Sequence, residues 1–284
     1  MKKLILAFFF IGCTVCFAQE NSLKIHFIDV GEGEAVLIQS KDKNALIDTG
    51  NILSGYKLID YLKENNVKVV DHLIITHPHL DHIAGIFFIM PKFTIKRTYD
   101  NGCGLGTLNN SLLSYYEKTF RLKDNYRVLK EGDIIKLGEL TLTVIWPPAK
   151  SLSGDFNYNS LVIMLDYKNF RCLLTGDINN AVEAELLKRK INLGAEVLKV
   201  AHHGASDATT KDFIERVRPK FAIITVDNNN ERGYPAKSVL DLLEAENIKT
   251  YRTDKNGSVL IKVNNKDDYT VLSQTGLSTL ISLF

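Results

Sequence analysis

The chain has 284 residues, 45% of them hydrophobic, with Lys+Arg 35 against Asp+Glu 33 and a net charge of +2. That much apolar material builds one large domain or two small ones. The near balance of charge excludes a dedicated polybasic nucleic-acid binder, though not an enzyme that reaches nucleic acid through a metal site.

Lys2 and Lys3, the apolar run Leu4 to Phe10, and Cys16-Phe17-Ala18 ahead of Gln19 have the pattern of a secretory leader. The expected division is a leader over 1–18 and a single domain over 19–284, working in the periplasm or secreted. The competing reading is a lipoprotein signal with Cys13 as the lipidated residue. No later run is long and apolar enough to span a bilayer. Of the four cysteines, Cys103 and Cys172 lie beyond the leader. They could pair in an oxidising compartment, but Cys172 sits in an apolar strand pattern and reads as a buried free thiol.

Leu23 to Val30 alternates like a strand and runs into the tight turn Gly31-Glu32-Gly33-Glu34. Glu32 and Glu34 could approach a site from that turn. Ala35 to Ile38 is the return strand. Asn44 to Gly50 is a third strand ending at Asp48. Tyr56 to Lys63 reads as a helix and Lys68 to Ile75 as a buried strand. Directly after it comes His77-Pro78-His79-Leu80-Asp81-His82, with four potential metal ligands in six positions. Ile83 to Ile89 then reads as a helix. A cluster placed where a strand ends and a helix begins is where open α/β sheets hold ligands. Imidazoles and a carboxylate suit zinc or a similar divalent ion.

Further on, a strand near Thr94 to Thr98 leads to the glycine-rich loop Gly102-Cys103-Gly104-Leu105-Gly106. That loop lacks the strand-turn-helix setting of a dinucleotide site and reads as a loop beside the active site. A helix from Asn110 to Phe120 and strands at Tyr126 to Leu129 and Leu140 to Trp146 end at Pro147-Pro148. The second half offers strands at Ser160 to Leu165 and Phe170 to Leu174, the latter followed by Asp177. A helix spans Ala181 to Lys190. A strand over Glu196 to Ala201 runs into His202-His203-Gly204, with Lys199 read equally well as a snorkelling edge residue or as a catalytic one. Thr210 to Val217 and Ser238 to Glu246 read as helices around a Phe221 to Thr225 strand. Two β-rich halves carrying helices fit a two-sheet sandwich with helices outside.

Asp48, His77, His79, Asp81, His82, Asp177, His202 and His203 all fall at strand ends. If those ends meet, they hold enough ligands for two divalent ions, and Asp177 has two oxygens with which to bridge. At this point the sequence resembles a known family. His77-Pro78-His79-Leu80-Asp81-His82 is similar to the signature of the metallo-β-lactamase-fold hydrolases. Phe27 to Ala35, Leu46 to Gly50, Asn157 to Val162, Leu173 to Asp177 and Leu198 to Ala205 follow in order, and resemble the hydrolase domain of competence (ComEC-type) DNA-uptake proteins and their stand-alone relatives.

That resemblance implies a four-layer αββα sandwich and two divalent ions, zinc with manganese as the alternative. It implies His77 and His79 on one ion, Asp81 and His82 on the other, Asp177 bridging, and His202 completing the second site. Asp48 would orient a ligand histidine, Asp81 would help place the attacking water, and His203 would face the substrate. The nucleophile would be a metal-bound hydroxide. The implied activity is phosphodiester hydrolysis of a small-molecule or polymer substrate, nucleic acid included, outside the cytoplasm. The alternatives are hydrolysis of an ester, amide or lactam, and a non-catalytic metal-binding module. Two departures fall on the substrate side. Asn157 stands where some members of the wider fold carry a metal-binding histidine. Tyr234 stands where relatives carry a histidine between glycine and proline, and a phenol is a poor zinc ligand.

Overall fold

The computed structural model describes residues 22–105, 111–150 and 153–276; the expected leader, Cys13 included, lies outside them. Two sheets stack face to face. The first has eight strands in the order Asp268–Ser273, Val259–Asn265, Leu23–Phe27, Val36–Ser40, Lys43–Ile47, His72–Ile74, Thr98–Asp100 and Tyr126–Val128. The second has seven, in the order Lys249–Arg252, Phe221–Ile224, Val197–Lys199, Phe170–Leu174, Val162–Tyr167, Leu140–Trp146 and Ile134–Leu137.

Alternation writes the layers. In Leu140–Trp146, Leu140, Leu142 and Val144 are buried between the sheets while Thr141 and Thr143 are half-buried. The register slips between Val144 and Trp146 against the neighbouring strand, so Trp146 turns to the outer face and packs with the second sheet's helices. Leu23, Ile25 and Phe27 meet Ile163, Leu165 and Leu174 in the middle core. Leu37, Leu46 and Leu73 pack outward against Leu58, Leu62 and Phe120. Leu173, Leu198 and Ile224 pack outward against Val182, Phe213 and Leu243. Three cores between four layers give the expected sandwich. Each buried Leu, Ile or Phe contributes about 1.5–3 kcal/mol over leaving it exposed.

The helix Gly55–Glu64 shows why the outer layers form. Leu58, Ile59 and Leu62 share one face and are buried, while Lys57, Asp60 and Lys63 face outward or lie at the edge. On the second sheet, Asn180–Leu187 starts at Asn179, whose side chain accepts the Val182 N–H.

Several elements differ from the sequence reading. The expected strand into the cluster is split at Asp71, whose carboxylate takes the Asn44 N–H and the Lys96 ammonium. The helix after the cluster is two single turns, Leu80–Ile83 and Ile86–Ile89. Between them Gly85 lies against the Thr49 carbonyl, where a Cβ would come within 1.9 Å. Lys199 is on an interior strand and wholly buried, not at an edge. Cys103 and Cys172 are both buried and free. Among the described residues no helix is long and apolar enough to cross a membrane.

In the first sheet, Lys43–Ile47, His72–Ile74 and Thr98–Asp100 run parallel. In the second, Phe170–Leu174, Val197–Lys199, Phe221–Ile224 and Lys249–Arg252 do. The loops leaving these parallel strands carry the polar residues considered next.

Candidate metal centre

Asp177 is the hub. Its Oδ2 lies 3.1 Å from His82 Nε2, 3.3 Å from His203 Nε2 and 3.9 Å from His77 Nε2. Asp81 Oδ2 lies 3.9 Å from His203 Nε2, and His79 Nδ1 lies 2.9 Å from His77 Nε2. First-sheet loops supply His77, His79, Asp81 and His82; second-sheet loops supply Asp177 and His203. His77, His82, Asp177 and His203 are all buried.

The far side of each inward imidazole is anchored. Asp48 Oδ2 lies 2.7 Å from His82 Nδ1. Thr76 donates its hydroxyl to Asp48 and lies 3.0 Å from His77 Nδ1, whose N–H it can accept. The Thr225 carbonyl lies 2.7 Å from His203 Nδ1. With each Nδ1 anchored in this way, the three Nε2 atoms are turned towards Asp177, the arrangement that metal-ligating histidines adopt. At the same time Asp81 Oδ2, Asp177 Oδ1 and His203 Nε2 are buried without a hydrogen-bond partner. A buried polar atom left unpaired is costly.

Electrostatics point the same way. Four carboxylates, Glu34, Asp48, Asp81 and Asp177, crowd this volume against one buried ammonium, Lys199. Burial alone would lower His82, but Asp177 and Asp48 outweigh it and hold that imidazole well above the usual histidine range. Burial would raise Asp177, but His203 and His82 outweigh it and hold the carboxyl well below the usual range. His77 is pushed well down by burial and by the neighbouring His82. In the metal-free chain the protonated His82 and the Lys199 ammonium balance part of the negative charge around Asp177, and a divalent cation would take the place of the imidazole proton. The donors form the groups His77–His82–Asp177 and Asp81–His82–His203.

His202 and His203 exchange the places expected of them. Both have left-handed backbones, φ 48° and 54°, a conformation that costs a non-glycine residue on the order of 1–3 kcal/mol. The turn aims His203 at Asp177. His202 looks away into a cleft, with Nε2 3.3 Å from Asn157 Nδ2 and Nδ1 3.3 Å from Asp207. Asn157 and His202 form one wall of that cleft, and the Tyr234 ring packs edge-on against His202 at 5.4 Å, outside the cleft lining. The cleft encloses about 390 Å³ and is also lined by His79, Asp81 and Arg232. The Gly102-Cys103 part of the glycine-rich loop is instead tied to Asp100 and Asn101.

Three residues escaped the sequence reading or were undervalued by it. Glu34 is buried and contacts Lys199, which also lies 3.6 Å from Asp177 Oδ1. The signal was present in the first turn: Gly33, at φ 114°, sits so close to Asp81 that a Cβ would meet its carbonyl at 2.0 Å. The Glu34 N–H bonds that same carbonyl. Arg232 reaches over the cleft, 3.7 Å from Asp81 and 3.5 Å from Glu32; nothing in its loop sequence marked it.

Residues 28–225 match the family described as the Metallo-beta-lactamase superfamily. The chain is 30% identical over 271 residues to ComE operon protein 3 of Bacillus subtilis, covering 88% of this chain and 34% of that protein. It therefore spans about a third of the length of that relative. A 3',5'-cyclic-nucleotide phosphodiesterase of Aliivibrio fischeri is 28% identical over 160 residues, 51% of this chain and 46% of that one. Among solved structures, the metallo-beta-lactamase fold protein YhfI from Bacillus subtilis superposes with a TM-score of 0.51 at 13% identity, covering 81% of this chain and 95% of that one.

Proposed function

The chain belongs to the metallo-beta-lactamase superfamily, and from that premise we propose that it is a two-metal hydrolase of phosphodiesters. The observation that carries the metal reading is Asp177 Oδ2, which faces three anchored imidazoles drawn from both sheets. His77 and His79 with Asp177 would hold one ion; Asp81, His82 and His203 with Asp177 would hold the other. His203 rather than His202 takes the second site in this reading. When bound, a pair of divalent ions, zinc or manganese, supplies Lewis acidity and an activated water.

The protein's own groups do the rest. Asp48 and Thr76 fix the rings of His82 and His77. His202 and Asn157, on the cleft wall, would meet the leaving group or a phosphate oxygen. Arg232 supports an anionic substrate over a neutral lactam or ester. It has two carboxylate neighbours, at 3.5 and 3.7 Å, and its side chain is about half exposed (49%). A phosphodiester carries the formal charge this arginine would meet, and arginine suits it by its planar, bidentate donor fork. The Aliivibrio relative, a 3',5'-cyclic-nucleotide phosphodiesterase, is of this class. The leader pattern over 1–18 supports action outside the cytoplasm.

The test is a panel assay on purified, metal-loaded protein with bis-p-nitrophenyl phosphate, single- and double-stranded DNA and a chromogenic cephalosporin, together with elemental analysis. Two ions per chain and diester turnover abolished by a chelator are expected. Cephalosporin cleavage without diester turnover would sink the substrate reading; a chain that takes up no metal would sink the whole of it.

A further inference from the structure

Lys199 is a fully buried lysine on an interior strand. A buried ammonium is expensive to desolvate, and a leucine would fill a sheet position of this kind at no such cost. Its amine makes three contacts that belong to two different halves of the molecule. It pairs closely with Glu34, which comes from the turn after the first strand of the first sheet. It donates to the Gly176 carbonyl at 3.0 Å and lies 3.6 Å from Asp177 Oδ1, both in the loop after Phe170–Leu174 of the second sheet. Burial would lower the amine's pKa, but Glu34 and Asp177 outweigh it, so it stays charged.

The same arrangement reaches the first-sheet ligands. The Glu34 N–H bonds the Asp81 carbonyl at 3.2 Å, and the Glu34 carbonyl accepts the Gly50 N–H at 2.8 Å, beside Asp48 and Thr49. A continuous path therefore runs from Asp81 through Glu34 and Lys199 to Gly176 and Asp177. We propose that Lys199 is a positioning residue that clamps Glu34 to the Asp177 loop and so sets the gap between the first-sheet and second-sheet ligands. By occupying the Oδ1 side of Asp177, the amine leaves Oδ2 to face His77, His82 and His203. This inference rests on the two-ion reading of the cluster.

A bland role for the pair is neutralisation of Glu34 alone. The two roles differ in what happens when both charges are removed together. The double substitution Glu34→Gln with Lys199→Met keeps volume and net charge. Replacing a buried ion pair by neutral groups of similar size is often neutral or stabilising. Neutralisation alone then predicts unchanged metal binding. The clamp predicts roughly a 10–100-fold loss of affinity for the second ion, the range seen when groups supporting metal ligands are removed.

The experiment is calorimetric titration of zinc and of manganese into the metal-free full chain, with the thermal unfolding midpoint recorded alongside. A second variant, Glu34→Asp, retains both charges and shortens the reach by one methylene. Expected are a 10–100-fold weaker second ion in the double variant, a smaller loss in Glu34→Asp, and an unfolding midpoint in Glu34→Asp close to that of the unaltered chain. If both ions bind either folded variant as tightly as they bind the unaltered chain, the clamp is overturned. If the unaltered chain itself binds no metal, the failure lies with the two-ion reading instead.

Discussion

Two buried carboxylates close neighbouring loops at the same end of the molecule, and their surroundings could hardly differ more. Asp100 ends the strand Thr98–Asp100 and is fully supplied with donors. Its Oδ2 accepts from Tyr116 and Arg121, each at 2.5 Å, and its Oδ1 from Tyr126 at 2.6 Å and the Gly102 N–H at 2.7 Å. Burial and Asp100 together raise both phenols, so they remain protonated donors. One Arg121 nitrogen is the only atom of this group without a partner among the described residues. Around Asp177 the supply is thinner: imidazole nitrogens ring Oδ2, and Asp81 Oδ2, Asp177 Oδ1 and His203 Nε2 lack a hydrogen-bond partner among the described residues. A carboxylate surrounded by donors stiffens a fold. A carboxylate ringed by anchored imidazoles is prepared for a cation.

The sharpest way to break that contrast is to neutralise each carboxylate in turn. Asp177→Asn should lower diester turnover roughly 10³-fold or more, several kcal/mol at about 1.4 kcal/mol per tenfold. It should also lower the stability of the metal-free chain, because His82 and Lys199 lose the carboxylate they face. Retained activity with both ions bound would end the bridging assignment. Asp100→Ala should act on stability alone. It strands the Arg121 guanidinium and should cost about 3–5 kcal/mol in urea unfolding, while the folded fraction keeps its metal content.

His26 makes a smaller, intermediate case. It is buried, with Nδ1 3.1 Å from the Tyr61 hydroxyl and Nε2 unpartnered. Burial, helped by Lys24, lowers its pKa from 6.5 to about 4. The unfolded chain therefore takes up the proton first as pH falls. The stability from the neutral buried ring is complete above pH about 6.5 and is lost progressively towards about 4. Linkage puts the loss at roughly 1.4 kcal/mol by about pH 5.5, and a His26→Gln variant should show a flatter slope there. An unchanged slope would assign the pH dependence to other groups.

What could be read in the sequence follows from what local pattern encodes. Leu140–Val144 alternates cleanly and the run ends two residues later at two prolines, so its limits were plain. The cluster from His77 to His82 is likewise local, six residues at one strand end. The strand Ile134–Leu137 was missed because it is a four-residue partner of its neighbour, and its pattern is short. The roles of His202 and His203 could not be ordered by spacing, since two successive left-handed residues reverse which imidazole faces inward. Lys199 looked like an edge residue because its partner, Glu34, lies on the other sheet, and sequence distance hides such pairs. The four-layer fold was legible because hydrophobic periodicity is repeated strand after strand; the clamp was not, because it is made once.

The strand Val259–Asn265 lies between Leu23–Phe27 and Asp268–Ser273, with every residue of Leu23–Phe27 in register against it. Leu23–Phe27 thus leaves a ribosome long before the strand that covers one of its edges. Until then the nascent chain carries an unpaired, apolar strand edge, the kind that invites association with other chains.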